Sequence, residues 1–266
     1  MTPVGQTAAA WPSERDVADL VVIDVDPDIA QETLNRVPFW FHTFALNRKR
    51  EIYTPGVARD HGYRLSVIPE SFKGLRVLDV GTFDGFYSYL AEARGARRIL
   101  AIDNEQYVDW VADRWHVTLS GGEGFRAIHR LLDSKVEYRR MDAFSLDEVD
   151  GEFDFIFCFG LLHRVENPLG LLRLLTRHLA DEGRMAVETY GVVEDEGAED
   201  GAIYVCEPGE IYARDEYVHW QFSSGSLERL VEHAHHASFE LIGAPIIAGH
   251  PRLLGCITIS SDSRGR

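Results

Sequence analysis

The sequence predicts an α/β fold: a mostly parallel sheet of seven strands with helices on both faces. Three observations carry that prediction. The runs at 76–80 (RVLDV), 97–102 (RRILAI) and 153–159 (FDFIFCF) are nearly continuously apolar, as expected of central parallel strands buried on both sides. Helical segments fall between them, and alternation of strand and helix produces a parallel sheet wound on both faces. A glycine-flanked turn follows the first strand directly, where a chain entering a helix can present its backbone to a ligand.

Taken in order, residues 1–20 are small, polar and mixed, and read as a flexible arm. Residues 21–75 form an N-terminal cap segment. Within it, 28–46 opens as a short helix capped near Asp28 and ends in aromatics; 47–75 is an irregular connector broken by Pro55-Gly56 and Pro69. The binding domain spans 76–266. Its remaining strands fall at 135–140 and 184–189, and its helices at about 85–94, 105–119, 124–133 and 168–180. The last helix has Asn167 as N-cap and Pro168 at its first position. A helix at about 226–237 and strands at 239–247 and 253–260, spaced for an antiparallel hairpin, close the chain. The stretch 191–222 breaks this rhythm with an acidic loop followed by aromatics, and its length reads as a lid insertion.

Lysine plus arginine number 27 against 43 aspartates and glutamates, a net charge of −16. Nucleic-acid partners call for a positive surface, so the balance argues against one; Arg48-Lys49-Arg50 is the longest basic cluster. No apolar run approaches the roughly 20 residues that span a bilayer, which argues against a membrane partner. The start of the chain lacks the basic and apolar regions of a secretory signal. Cys158, Cys206 and Cys256 are far apart and read as reduced thiols of a cytoplasmic protein. A homo-oligomer stays open.

The turn itself runs Asp79-Val80-Gly81-Thr82-Phe83-Asp84-Gly85. A dinucleotide fingerprint needs G-x-G-x-x-G, whose second glycine admits a pyrophosphate. Phe83 stands at that position, and Asp79 and Asp84 would repel phosphate. A cationic adenosyl ligand, S-adenosylmethionine, suits the turn better. Asp103 ends the second strand 22 residues after Gly81, where a carboxylate can accept both ribose hydroxyls. Asp142 ends the third strand and can take the adenine amino group beside the Ala143 amide; it can equally cap the next helix.

The stretches LDVGTFDGFYSYLAEARGA, AID, RRMDAF and FDFIFCFGLLHRVENPLGLLRLLTRHLADEGRMAVET resemble motifs I to V of class I S-adenosylmethionine-dependent methyltransferases. The earlier VPFWFHTFAL…TPG resembles the W-[FY]-H-[ST] opening of the group that includes the tRNA wobble-uridine (5-oxyacetyl) methyltransferase and relatives in bacterial secondary metabolism. The resemblance implies a Rossmann-like fold with S-adenosylmethionine as cofactor. By position, Asp79 and Gly81 would hold the methionine end, Asp103 the ribose, and Asp142 and Ala143 the adenine. Thr82, Phe83 and Asn104, beside them in the chain, would also belong to the cofactor site. Phe159, Gly160 and Leu161 would line the cofactor. Two positions depart from the pattern: Phe83 replaces the middle glycine, and Arg164 stands where many relatives have histidine.

Methyl transfer needs an aligned nucleophile, exclusion of water and, for a protonated acceptor, removal of a proton. The catalytic candidates are His163, His42 and Glu188; Trp40, Phe41, Tyr190, His219 and Trp220 are candidates for the walls of a substrate pocket. Each has a structural alternative, His42 as a core histidine and His163 as a helix-capping or packing residue. His233, His235 and His236 read as a solvated helix end, so no metal is expected. The expected function is O- or N-methylation of a small-molecule, secondary-metabolite acceptor. One alternative is tRNA wobble-uridine methyl or carboxymethyl transfer with carboxy-S-adenosylmethionine, for which Arg48, Lys49, Arg50 and Arg64 are the nearby cations. Another is a non-catalytic, cofactor-binding regulator.

Overall fold

The computed structural model describes residues 11–58, 61–192, 201–210, 215–235, 237–247 and 249–259. Among the described residues, seven strands make up the continuous order of the eight-stranded main sheet, to which Ile246–Ile247 adds a short eighth: β1 (Arg76–Val80), β2 (Arg98–Asp103), β3 (Glu137–Arg140), β4 (Phe153–Phe159), β5 (Leu179–Tyr190), β6 (Ala237–Gly243) and β7 (His250–Ile259). Their spatial order is β6-β7-β5-β4-β1-β2-β3. β3, β2, β1, β4 and β5 pair in parallel, while β7 runs antiparallel to both β5 and β6. The order reverses between β1 and β4, so a crevice opens at their carboxyl ends, where open α/β sheets bind ligands.

Helices cover both faces. They are α1 (Glu14–Ala18), α2 (Pro27–Arg36), α3 (Phe86–Ala93), α4 (Tyr107–Trp115), α5 (Glu123–Leu132), α6 (Pro168–Arg177) and α7 (Ser224–Glu232). Strand side chains alternate between the two faces. Val77, Phe155 and Phe157 pack with Phe86 of α3, Phe125 of α5 and the N-terminal segment. Leu78, Val80, Ile156 and Cys158 pack with the leucines of α6 and with Leu227 of α7. Gly85 caps α3 at φ +88°, and a Cβ there would lie 2.6 Å from the Phe125 ring.

Several boundaries shift from the sequence expectation for local reasons. The supposed arm contains α1 within its described part, residues 11–20. Ser13 and Asp16 close a capping box there, and Val17 and Ala18 are buried; residues 1–10 lie outside the described residues. Asp26, not Asp28, caps α2, accepting the Asp28 amide at 2.9 Å ahead of Pro27. α6 stops at Arg177 because Leu179 already pairs with Phe153; residues 180–183 bulge before the register resumes at Arg184. After β6, Ile246–Ile247 folds back on His250 and Pro251. Of the expected lid, 193–200 and 211–214 lie outside the described residues, and Ile203–Val205 pairs antiparallel with Trp220–Phe222.

Candidate active site

The crevice between β1 and β4 holds a cleft with a cavity volume of about 190 Å³. Its floor is the turn after β1. Gly81 sits at φ +74°, and a Cβ on it would meet only a Leu161 methyl, at 3.9 Å. The backbone there is therefore open for a ligand to lie against. Thr82 and Ser88 both donate to the same Asp79 oxygen at 2.7 Å. Burial raises the Asp79 pKa despite those hydroxyls. Across the turn, Asp103 accepts the Phe83 amide at 2.9 Å and the Glu105 amide at 2.7 Å. Burial pushes its pKa up to about 6. Each carboxylate gains from a cation or hydroxyl donor entering the cleft.

Phe83 does more than replace a glycine. Its φ is +55°, a left-handed conformation that costs a bulky residue energy. The ring stacks on Phe41 (centroids 4.6 Å apart) and on Tyr107 (3.8 Å). With Trp110 and Tyr217, these rings form an aromatic wall of the cleft.

The opposite wall is cationic. Arg64 and Arg252 line the cleft and share one carboxylate, Glu188, which is fully buried. Arg64 reaches Glu188 at 2.6 Å, and Arg252 closes on its other oxygen. Burial would raise the Glu188 pKa, but the two guanidiniums outweigh it and hold the group below the ordinary value. Arg252 also lies over the Tyr190 ring, 3.8 Å from its centroid. Arg64 Nε and Arg252 Nη1 have no hydrogen-bond partner among the described residues.

Two histidines line the same cleft. His163 is fully buried, which pushes its pKa well below the ordinary value; the nearby Arg164, Arg252 and Arg64 charges add to the effect. His42 follows Phe41 and contacts Asp84, whose Oδ2 accepts the Phe41 and His42 amides at 2.9 and 2.8 Å.

The cleft thus gathers Asp79, Gly81, Thr82, Phe83, Asp103, Asn104, Phe159, Gly160, His163, His42 and Phe41 among the sequence candidates. The others lie outside its lining. Asp142 is exposed and caps the turn that follows it, accepting the Phe144 amide at 2.8 Å and the Asn104 side chain at 3.1 Å. Ala143 follows in that turn, and Leu161 packs over Gly81. Glu188 is a buried counter-ion that positions two arginines and has no access to an acceptor. Trp40 is core, 2% exposed against Phe44. Tyr190 is buried between His163 and Arg252. His219 and Trp220 support the loop from beneath: the His219 amide donates to the His163 carbonyl at 2.8 Å, and the Trp220 indole donates to the Val165 carbonyl at 2.7 Å.

Sequence reasoning missed Arg252, Tyr87, Tyr107, Trp110 and Tyr217. Arg252 left one signal, a lone cation inside the apolar run PRLLGCITI, which a buried strand tolerates only if it is paired. Among the described residues, no group of three or more His, Cys, Asp or Glu is placed to hold a metal.

A mostly parallel sheet with this order, an acidic residue at or next to the end of each of its first two strands and an open glycine turn between them describe a class I methyltransferase fold. The chain matches the methyltransferase-domain family over residues 48–239 and belongs to it. It is 26% identical over 212 residues to a tRNA U34 carboxymethyltransferase of Alteromonas mediterranea, covering 76% of this chain and 59% of that one. A protein of the same name from Sulfurimonas denitrificans is 22% identical, covering 65% and 52%. The chain thus spans between about half and two thirds of these relatives' length. Its fold resembles the N-terminal domain of EvdMO1 with S-adenosylhomocysteine bound, at a TM-score of 0.59 and 22% identity, covering 90% of this chain and 98% of that one. It also resembles the YcgJ protein of Bacillus subtilis, at a TM-score of 0.56 and 13% identity, covering 76% and 100%. S-adenosylmethionine is the cofactor of this family, and the donor set fits it. By their places in the cleft, Asp79 would meet the cationic end, Asp103 would accept the ribose hydroxyls, and the arginine wall would suit the amino-acid carboxylate.

Proposed function

We propose that the protein transfers the methyl group of S-adenosylmethionine to a hydroxyl or amine of a small secondary-metabolite acceptor, in the cytoplasm. The observation that carries this reading is the aromatic wall of Phe41, Phe83, Tyr107, Trp110 and Tyr217, which shares one cleft with Asp79 and Asp103. Rings at that spacing suit a compact, largely apolar acceptor. The charge of the cationic wall also closes with ordinary S-adenosylmethionine. Two guanidiniums and one Glu188 carboxylate leave one positive charge, and one amino-acid carboxylate balances it. The net charge of −16 supports a small acceptor over a polyanion. Three free cysteines, two of them buried, are consistent with a reducing compartment.

A second reading is carboxymethyl transfer to tRNA. The names of the relatives support it, as does the presence of two arginines in the cleft, one of them, Arg64, among the cations the sequence offered for a further carboxylate. Arg48 lends it less, since that side chain pairs with Asp24.

Mass spectrometry of the ligand released on denaturing the purified protein tests both. S-adenosylmethionine or S-adenosylhomocysteine is the expected result. A donor heavier by one carbon dioxide would favour the second reading, and a gel shift with bulk tRNA at low salt would then follow.

A further inference from the structure

The two histidines of the cleft are held through different partners, and those partners favour opposite neutral tautomers. Asp84 faces Nδ1 of His42. A carboxylate offers only lone pairs to that contact, so Nδ1 carries a proton, and in the neutral ring Nε2 is the nitrogen with the free lone pair. His42 Nε2 is buried and has no partner among the described residues. At His163 the arrangement is reversed. The Tyr190 amide points at Nδ1 at 3.4 Å, and the Thr189 hydroxyl lies 3.1 Å from it. A backbone amide can only donate, so Nδ1 is the acceptor and Nε2 bears the proton. His163 Nε2 is also buried without a partner among the described residues.

We infer that Asp84 and His42 act as a proton-accepting dyad, that His163 is a hydrogen-bond donor and not a base, and that the acceptor presents a hydroxyl group. This rests on the methyltransferase reading above and narrows it to O-methylation. The hydroxyl proton passes to His42 Nε2 while the acceptor oxygen bonds to the methyl carbon and the carbon–sulfur electron pair returns to sulfur. The resulting imidazolium is balanced by Asp84, in the way that a buried carboxylate supports a histidine base elsewhere. An amine arriving in its neutral form needs no such base before transfer.

Asp84 also explains how the base is placed. Its Oδ2 holds the Phe41 and His42 amides, so the N-terminal segment is pinned to the turn that carries the cofactor site. The adjacent Phe83 amide is held by Asp103. The base and the cofactor floor therefore belong to one hydrogen-bonded unit. Phe86 stacks beside the His42 ring at 5.5 Å and His61 lies at 5.0 Å, leaving the ring little freedom to turn.

The test is long-range proton–nitrogen correlation spectroscopy on protein labelled with ¹⁵N at its 11 histidines, with His42→Gln used to assign the signal. The expected pattern is a protonated Nδ1 and a bare Nε2 at His42, and the reverse at His163. A proton on Nε2 of His42 in the neutral ring overturns the dyad. Calorimetry with S-adenosylhomocysteine runs alongside. Binding by the wild type with the wrong tautomer sinks the dyad alone; no binding by the wild type sinks the methyltransferase reading instead. Transfer of a radiolabelled methyl group to a panel of phenolic acids, catechols and amines supplies the catalytic arm. For any hydroxyl that reacts, His42→Gln and Asp84→Asn should lower kcat about 100-fold or more while KM and S-adenosylhomocysteine affinity change only a few-fold. A hydroxyl acceptor turned over equally well by His42→Gln overturns the assignment even if the tautomer is right.

Discussion

Arg164 and Asp215 meet at 2.6 Å, joining the loop after β4 to the segment that carries Tyr217. Asp215 is fully buried, while Arg164 keeps 30% of its side chain exposed and lies 5.8 Å from the Trp110 ring centroid. This one side chain therefore touches three parts of the cleft wall. It is also one of the two positions that depart from the methyltransferase motif pattern the sequence resembles. The departure has a physical reason: an arginine reaches a buried carboxylate that needs a cation.

Removing that cation should be worse than removing the pair. Arg164→Met leaves Asp215 buried and unpaired, and is expected to cost about 3 kcal/mol of stability. Arg164→Met combined with Asp215→Asn should recover most of the loss. Urea unfolding of the four corners of the cycle measures this. Equal losses in the single and double variants would show that the pair is not what holds the segment.

Glu188 makes a pH-dependent contribution. Its carboxylate is held below the ordinary value, so its share of stability is complete above the unfolded-state pKa of about 4.3. That share is lost as pH falls through the lower folded value. Glu188→Gln should therefore lower the melting temperature at neutral pH by stranding two guanidiniums, a cost of about 3–5 kcal/mol. The gap between variant and wild type should narrow below about pH 4. A gap that stays constant to pH 3 would place the stabilising role elsewhere.

Much of this organisation was legible in the chain, and its limits have physical causes. Strands β1 and β4 announced themselves because both faces are buried, and the turn after β1 because its glycines and carboxylates sit within seven residues. Which aromatic faces the cleft was not legible. Trp40 and Phe41 are neighbours, yet one is core and the other lines the cleft, a choice made by the pinning of 41–42 on Asp84. Glu188 could be placed at a strand end, but its role depends on Arg64 and Arg252, which reach it from distant parts of the chain. The cap at Ser13 was written in the sequence as Ser-x-x-Asp and was obscured by a polar composition.

Asp103 predicts how cofactor affinity varies with pH. Its pKa is pushed up to about 6 in the free protein, and the ionised carboxylate is the form that accepts ribose hydroxyls. Binding therefore selects ionised Asp103 and releases a proton when the pH is below about 6. S-adenosylhomocysteine affinity should rise with pH, by at most about tenfold per unit, and level off above that value. Calorimetry across pH, repeated in buffers of different ionisation enthalpy, measures both affinity and proton release. A flat profile from pH 5 to 7 would mean that Asp103 does not titrate on binding.

Gly81 and Gly85 both adopt positive φ, yet alanine should act on them through different routes. At Gly85 (φ +88°) the new Cβ would lie 2.6 Å from the Phe125 ring and 2.7 Å from the Tyr89 ring. Both rings are buried and cannot give way without disturbing the core, so Gly85→Ala should unfold at markedly lower temperature. At Gly81 (φ +74°) nothing lies closer than the Leu161 methyl at 3.9 Å. The cost to stability there is only the left-handed strain, about 1 kcal/mol. The alanine methyl would, however, project into the open space that the cofactor would occupy against the turn. Gly81→Ala should therefore melt close to the wild type while losing at least tenfold in S-adenosylhomocysteine affinity, about 1.4 kcal/mol. Thermal unfolding and calorimetry on the two variants separate these outcomes. If Gly81→Ala bound S-adenosylhomocysteine as well as the wild type, the floor of the cofactor site would have to lie elsewhere in the cleft.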